Sequence, residues 1–373
     1  VLTGHFTDDM PASSRPLTIV HAVFSSRLAG GERHCVDLAR AQAALGHDVH
    51  VVGPGKSAVR AVLGPTVTYH GLPAPLLRGL RLRRLAGALR ADVVHGHLGP
   101  ACKAVATVAG ATRIGTLHVG FKAHHHQAMD GLICVNSAQR QRLGGYRGEH
   151  AVIYNWAPER DPGRPAAASD LRAELGLGPR QLLVGSVGRL CPSKGMDVLV
   201  SAFRAAAPAD AALAILGEGD HMAELRRLAA GDPRIHLLGF RSDVDDALQA
   251  MDLFVSPSRE EAFPLAILEA MRAGVPVIST ATQGPLEMLA HQPDAQIVPI
   301  ADVPAMGAAI AERLARLRPV PREQRARIPY DVSAYARGEA VERTVAFYRQ
   351  VIGRTPVADA HAPAGVRSGV GHA

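Results

Sequence analysis

At 373 residues the chain is longer than one ordinary hydrophobic core, so two domains of common size are expected. Hydrophobic residues make up 47% and charged ones 20%, a globular balance that excludes a disordered chain, and no apolar stretch approaches the roughly 20 residues of a membrane span. The net charge of +7 suits anionic partners; with 4% aromatics and no stretch mixing them with basic residues, small phosphates are favoured and nucleic acid is not expected.

Taken in chain order, Val1 to Arg15 reads as loose, and the first apolar run, Leu17 to Phe24, is too short for a signal peptide and is interrupted by His21. Cys35, Cys102, Cys134 and Cys191 stand singly, without Cys-x-x-Cys spacing, which speaks for a reducing compartment and a cytoplasmic protein. Short apolar runs alternate with amphipathic stretches throughout, the pattern of βαβ units with parallel strands. Strands are predicted at Leu17–Val23, Asp48–Gly53, Asp92–His95, Arg113–His118, Gly131–Val135 and Ala151–Tyr154. Helices are predicted between them, including Gly31–Leu45 and Ala101–Ala109, with Ser137 the expected N-cap of a further helix. The pattern restarts with strands at Leu182–Val187, Ala212–Leu216, Ile235–Leu238, Leu253–Val255 and Val275–Ser279, and helices at Gly195–Ala205, Met222–Ala230 and Pro264–Ala273.

A Pro/Gly/Ala stretch, Pro158 to Ala168, reads as a linker between the halves. The expected organisation is therefore α/β: a first Rossmann-like αβα domain over 16–157, a linker and domain start over 158–180, and a second αβα domain over 181–330. A helix over 331–352 is expected to cross back towards the first domain, ahead of a loose tail over 353–373. Two such sandwiches facing each other bring the C-terminal ends of both sets of strands to one cleft, where open α/β sheets bind ligands.

The richest segment is Ser256-Pro-Ser-Arg-Glu-Glu-Ala-Phe-Pro-Leu-Ala-Ile-Leu-Glu269. A strand ends at Val255, and Pro264 fits the first turn of a helix whose free N–H groups and positive dipole end suit a phosphate. Glu261 stands in the loop before that helix, and Glu269 lies about 7.5 Å further along its axis at 1.5 Å per residue. Such a pair can grip two hydroxyl-bearing parts of one ligand; equally it is a capping carboxylate and a solvated helix residue. In Gly188-Arg-Leu-Cys-Pro-Ser-Lys-Gly195, Arg189 and Lys194 follow another strand into the same cleft. Two fixed cations neutralise a pyrophosphate without a metal, although most Arg and Lys simply lie on the surface. Lys194 is one of only four lysines, with Lys56, Lys103 and Lys122, in an otherwise arginine-rich chain.

These segments, with Leu216-Gly-Glu-Gly219, Leu238-Gly-Phe240, Glu261-x7-Glu269 and Gly274-x-Pro-Val-Ile278 in order, resemble the GT-B fold glycosyltransferases of family 4. Gly30-Gly31-Glu-Arg33, Gly46-His-Asp-Val49, Asp92-Val-Val-His95, Thr116-Leu-His118 and Asn155 agree, so the resemblance runs from about Leu17 to Ile352. It implies a retaining, metal-independent transferase using a nucleoside-diphosphate sugar, with no cofactor. Glu269 would hold the ribose hydroxyls and Glu261 the donor sugar, while Arg189 and Lys194 stabilise the departing diphosphate. Backbone amides of Gly31, Phe263 and Leu265 would cradle phosphate in company with Gly30, Pro264 itself having no N–H. His118 would face the donor sugar across the cleft. UDP- or GDP-sugars are the implied donors, and a glycan or lipid-linked acceptor in cell-surface polysaccharide or lipopolysaccharide synthesis is the implied partner. The family usually has Gly where this chain has Ala262, which would strain a loop needing positive φ.

Other signals compete. Gly53-Pro-Gly-Lys-Ser57 is one glycine short of a P-loop, position 50 being His50, and Gly217-Glu-Gly219 lacks the third dinucleotide glycine at Met222. Asp243-Val-Asp245 reads as a helix start after a Ser242 N-cap rather than a metal site. His124-His-His126 reads as a polar loop over the cleft, because adjacent histidines diverge and no metal is expected. The basic amphipathic stretch Leu76–Arg90 fits either a helix packed on the sheet or peripheral contact with an anionic membrane. A sugar-nucleotide epimerase or a catalytically silent nucleotide-sugar binder of the same fold stays open as an alternative.

Overall fold

A computed structural model describes residues 15–26, 28–72, 76–157 and 170–354. The expected linker, Pro158 to Ala168, lies outside the described residues, as do residues 1–14 and 355–373.

Among the described residues, thirteen parallel strands form two sheets. The first contains β1 (Thr18–Val23), β2 (Asp48–Pro54), β3 (Thr68–Leu72), β4 (Val93–His97), β5 (Thr112–Leu117), β6 (Gly131–Cys134) and β7 (Glu149–Val152), in the order β3-β2-β1-β4-β5-β6-β7. The second contains β8 (Leu182–Val187), β9 (Ala211–Leu216), β10 (Ile235–Gly239), β11 (Leu253–Ser256), β12 (Val277–Thr280) and β13 (Gln296–Val298), in the order β10-β9-β8-β11-β12-β13. Strands covered on both faces read as continuous apolar runs: all six residues of β9, Ala-Ala-Leu-Ala-Ile-Leu, are buried. In each sheet the order reverses beside the first strand, between β1 and β4 and between β8 and β11. Both reversals open a crevice at the strand C-termini.

The second sheet has a core on each face, one built around Phe254, Ile267 and Met271 and the other around Phe203, Leu199 and Ile310. The helix Arg337–Arg354 leaves the second domain and packs Val341, Phe347, Tyr348 and Val351 against Ile19, Ile114 and Ile133 of the first sheet. Each such buried side chain contributes about 1.5–3 kcal/mol. Arg337 fastens the start of this helix with a two-pronged bond to Asp37, at 2.8 and 2.9 Å. The Leu76–Arg90 stretch forms the helix Arg78–Ala88, which buries Leu82 and Ala86 but leaves Leu76, Leu77 and Leu80 exposed.

Two helix-cap expectations are corrected, and other turns are given a structural role. Asn136, not Ser137, caps the helix Ser137–Gln141, its side chain accepting from Gln139 N–H at 2.7 Å. Pro264 is itself the N-cap of the helix Leu265–Arg272 rather than part of its first turn. The Gly217-Glu-Gly219 turn presses on the loop after β8; a Cβ at Gly217 would lie 1.8 Å from the Gly188 carbonyl oxygen and one at Gly219 2.1 Å from that of Leu190. Its glycines therefore serve close backbone approach. Gly53 likewise packs under Tyr69, and Ser57 caps the short helix Ala58–Val62. His124 to His126 form a helical turn in which buried His126 accepts from Lys122 N–H at 2.9 Å, so this segment is structured.

Candidate active site

The loops at the two crevices meet. Gly30 and Gly31 open the helix Gly30–Ala44, whose first turn is closed by Glu32 accepting from Ala29 N–H at 3.0 Å. A Cβ on Gly30 would lie 3.9 Å from Leu265 of the second domain, and one on Gly31 3.1 Å from Leu98 and 3.5 Å from the His118 ring. The turn is thus lodged between the Leu265 helix start and His118, which follows β5.

On the other side, β8 runs into Arg189 and the 3-10 turn Pro192–Lys194. Gly195 then turns the chain with φ +64, in a space where a Cβ would sit 2.0 Å from the Pro257 carbonyl oxygen. That contact ties the Lys194 loop to the loop after β11, and Lys194 forms an ion pair with Glu261 there. The two residues assigned separately to diphosphate and sugar are joined to each other. Arg189 is exposed, and among the described residues its guanidinium has no ion-pair partner.

Phe263 is buried, its ring 6.2 Å from that of Tyr154 and 5.6 Å from that of Tyr335, which fixes the loop ahead of Pro264. Ile267 N–H is bonded to the Pro264 carbonyl at 3.1 Å; the earlier amides of a helix have no intrahelical acceptor. Ala262 has no positive φ, so its methyl brings no backbone strain. Its carbonyl accepts from Asn136 Nδ2 of the first domain at 2.7 Å.

Glu269 lies one helical turn and a little more beyond Leu265. Protein crowds its partly exposed side chain, and burial, helped by Asp245, pushes its carboxyl up to about 7; Arg33 of the first domain and Arg272 oppose that shift. Hydroxyl donors reaching this carboxyl would restore hydrogen bonds that burial removes and favour its ionised form. Asp243, rather than the expected Ser242, is the N-cap of the helix Val244–Ala250, and it pairs with Arg241.

Histidines crowd the first-domain side in a way the sequence reading did not foresee. His21 on β1 and His95 and His97 on β4 are fully buried, and His97 contacts the partly exposed His118 at 3.2 Å. Burial lowers the basicity of both His21 and His118 to about 4, so both rings are neutral at pH 7. Ring nitrogens of His21, His95 and His97, and of His34, His97 and His118, come within 4.8 Å of one another, close enough for a cation. Hydrogen bonds already occupy most of those nitrogens. A signal was available: β4 carries His95-Gly-His97 where a buried parallel strand ordinarily carries apolar residues.

Two family models match the chain, one described as glycosyltransferase family 4 over residues 28–158 and one as glycosyl transferases group 1 over residues 181–316. The lipopolysaccharide core biosynthesis mannosyltransferase LpsB of Rhizobium meliloti is 30% identical over 285 residues, covering 71% of this chain and 78% of its own. A GDP-mannose-dependent α-(1-6)-phosphatidylinositol monomannoside mannosyltransferase of Mycolicibacterium smegmatis is 30% identical over 290 residues, covering 72% and 68%. Among solved structures, Anabaena HepE in complex with UDP and glucose superposes with a TM-score of 0.69 at 21% identity, over 91% of this chain and 99% of that one. A Rickettsia africae glycosyltransferase gives a TM-score of 0.75 at 16% identity, over 91% and 100%. With the Lys194–Glu261 pair and Glu269 at one crevice, His118 at the other, and relatives of this extent, the chain belongs to the group 1, family 4 glycosyltransferases and has their GT-B fold.

Proposed function

We propose that the protein transfers a hexose from a nucleoside-diphosphate sugar to a glycan or lipid-linked acceptor, with retention of anomeric configuration and without a metal. The observation that carries this reading is the meeting of the Lys194 and Glu261 loops with the Leu265 helix start at one crevice, opposite Gly31 and His118. In this scheme the diphosphate lies against the Leu265 helix N-terminus, near the amides of Gly31, Phe263 and Leu265. Arg189 and Lys194 stabilise its departing charge, Glu269 holds the ribose hydroxyls, and Glu261 and His118 hold the donor sugar. The acceptor hydroxyl attacks the face the diphosphate leaves, and its proton passes to the departing phosphate oxygen, so no side-chain base is required.

The named relatives work in lipopolysaccharide core and phosphatidylinositol mannoside assembly, which favours a surface glycan or glycolipid acceptor. None of the described helices is long and apolar enough to cross a membrane. The exposed Leu76, Leu77 and Leu80 beside Arg83 and Arg84 suit shallow contact with the anionic cytoplasmic face of a membrane.

Thermal unfolding with UDP, GDP, ADP and their common sugars, without added metal, tests the donor site. A rise with one nucleoside diphosphate that is lost in Glu269→Ala is expected and names the base. No rise with any of them, for protein that is folded, would remove the donor assignment.

A further inference from the structure

The buried histidines form a row with an end in the cleft. His21 Nε2 meets the Gln42 side-chain oxygen at 2.7 Å, His21 Nδ1 meets His97 Nε2 at 3.0 Å, and His97 Nδ1 meets His118 Nε2 at 3.2 Å. A neutral imidazole has one N–H and one bare nitrogen. Each contact between rings holds one proton, so the whole row points one way or the other.

Gln42 decides which. Its side chain is fully buried, and its amide nitrogen donates to the Tyr348 hydroxyl at 3.4 Å while its oxygen faces His21. Tyr348 comes from the C-terminal helix, and its hydroxyl also meets His95 Nδ1 at 2.6 Å. With the Gln42 oxygen as acceptor, His21 Nε2 carries the proton and its Nδ1 accepts from His97 Nε2–H. His97 Nδ1 then accepts from His118 Nε2–H. His118 Nδ1 is left bare, and among the described residues it has no hydrogen-bond partner.

We propose that Gln42, held by Tyr348, is a positioning residue that locks His118 in its Nε2–H form, so that His118 offers the cleft a hydrogen-bond acceptor for a sugar hydroxyl. The reverse amide orientation would reverse every bond in the row and turn His118 into a donor at the same place. One buried amide, set by a helix that arrives some 300 residues later in the chain, thereby selects the polarity of a cleft side chain. The sugar contact rests on the donor reading given above, whereas the locked tautomer does not.

The test is nitrogen-15 NMR of the histidine rings in the whole ligand-free protein, with His118 identified by the signal missing from His118→Gln. A single Nε2–H form is expected for His118, replaced by a mixture of forms in Gln42→Leu. Tyr348→Phe, which keeps the ring and its packing, is expected to give a mixture too and covers the case in which Gln42→Leu fails to fold. Both variants are expected to lower kcat about tenfold, the worth of one misdirected hydrogen bond, with nucleoside diphosphate affinity unchanged. An Nδ1–H form in the parent protein, or a form that neither variant alters, would overturn the inference. Because the ring measurement needs no substrate, a protein with the expected tautomer but no transferase activity would fail the donor reading and leave this one standing.

Discussion

Glu269 is the residue whose protonation matters most to the donor assignment. Its folded-state value of about 7 stands above the ordinary 4.5, so the fold is favoured with the carboxyl protonated. That contribution is complete below 4.5 and is lost as the pH rises through about 7. Glu269→Gln removes a carboxylate that is costly to bury, and should stabilise the ligand-free protein at pH 8 by about 1–2 kcal/mol, discounted for partial solvent exposure. At pH 4.5 the gain should vanish. Denaturant melts of both proteins at the two pH values check this, and the same substitution should weaken nucleoside diphosphate binding at pH 8. Arg189 makes the opposite case. Exposed and without an ion-pair partner among the described residues, it contributes little to the fold, so Arg189→Ala should leave stability within about 0.5 kcal/mol. Under the proposed role its turnover should fall about a hundredfold, as when a fixed charge is removed from a leaving group. A wild-type kcat would take Arg189 out of the mechanism.

At the scale of elements, the loops that carry the site are held by backbone contacts where a Cβ has no room. Gly195→Ala must place a methyl 2.0 Å from the Pro257 carbonyl oxygen, on a backbone at φ +64, and should cost more than about 2 kcal/mol. Gly46→Ala, at φ +87 with nothing within 4 Å, meets only the backbone penalty and should cost about 1 kcal/mol. Thermal melts of the two variants separate crowding from conformation. The contrast also shows what could be read from residues alone. The strand β8 was legible to the residue because Leu-Leu-Val-Gly-Ser-Val is bounded by polar turn residues and buried along nearly its whole length. The strand β3 was missed because Thr-Tyr-His-Gly-Leu lies at a sheet edge, is only half covered, and so shows neither a continuous apolar run nor clean alternation. The strand β13, three residues long, is too short for any periodicity. In the site, Lys194, Glu261 and Glu269 stood out because their segments follow strand ends in a known order. The contact between Lys194 and Glu261, the row from Gln42 to His118 and the influence of Arg33 on Glu269 depend on packing between elements far apart in the chain.

The two domains touch through an apolar contact, where Val135, Ala157 and Tyr154 of the first pack with Phe263 and Met288 of the second, and through polar contacts that a sequence pattern does not encode. Glu287, on the helix Gln283–Met288 of the second domain, accepts from Ser137 N–H and Ser137 O–H of the first, each at 2.8 Å. The Tyr154 hydroxyl donates to the same carboxylate. Beside it Asn136 bonds the Ala262 carbonyl, directly behind Glu261, so the closing contact and the Glu261 loop are one structural unit. A carboxylate accepting three hydrogen bonds across this interface is worth about 1.5–3 kcal/mol, enough to shift an open–closed balance more than tenfold. Under the proposed function, closure would exclude water from the donor. Glu287→Ala should therefore raise the radius of gyration of the ligand-free protein in X-ray scattering and increase the ratio of donor hydrolysis to transfer, while each domain keeps its melting behaviour. Glu287→Gln retains one acceptor oxygen and should fall between the two. If scattering is unchanged by Glu287→Ala, the domains are held instead by Asn136 and the Tyr154–Phe263–Tyr335 ring contacts, and the hydrolysis ratio should then move only in Asn136→Ala.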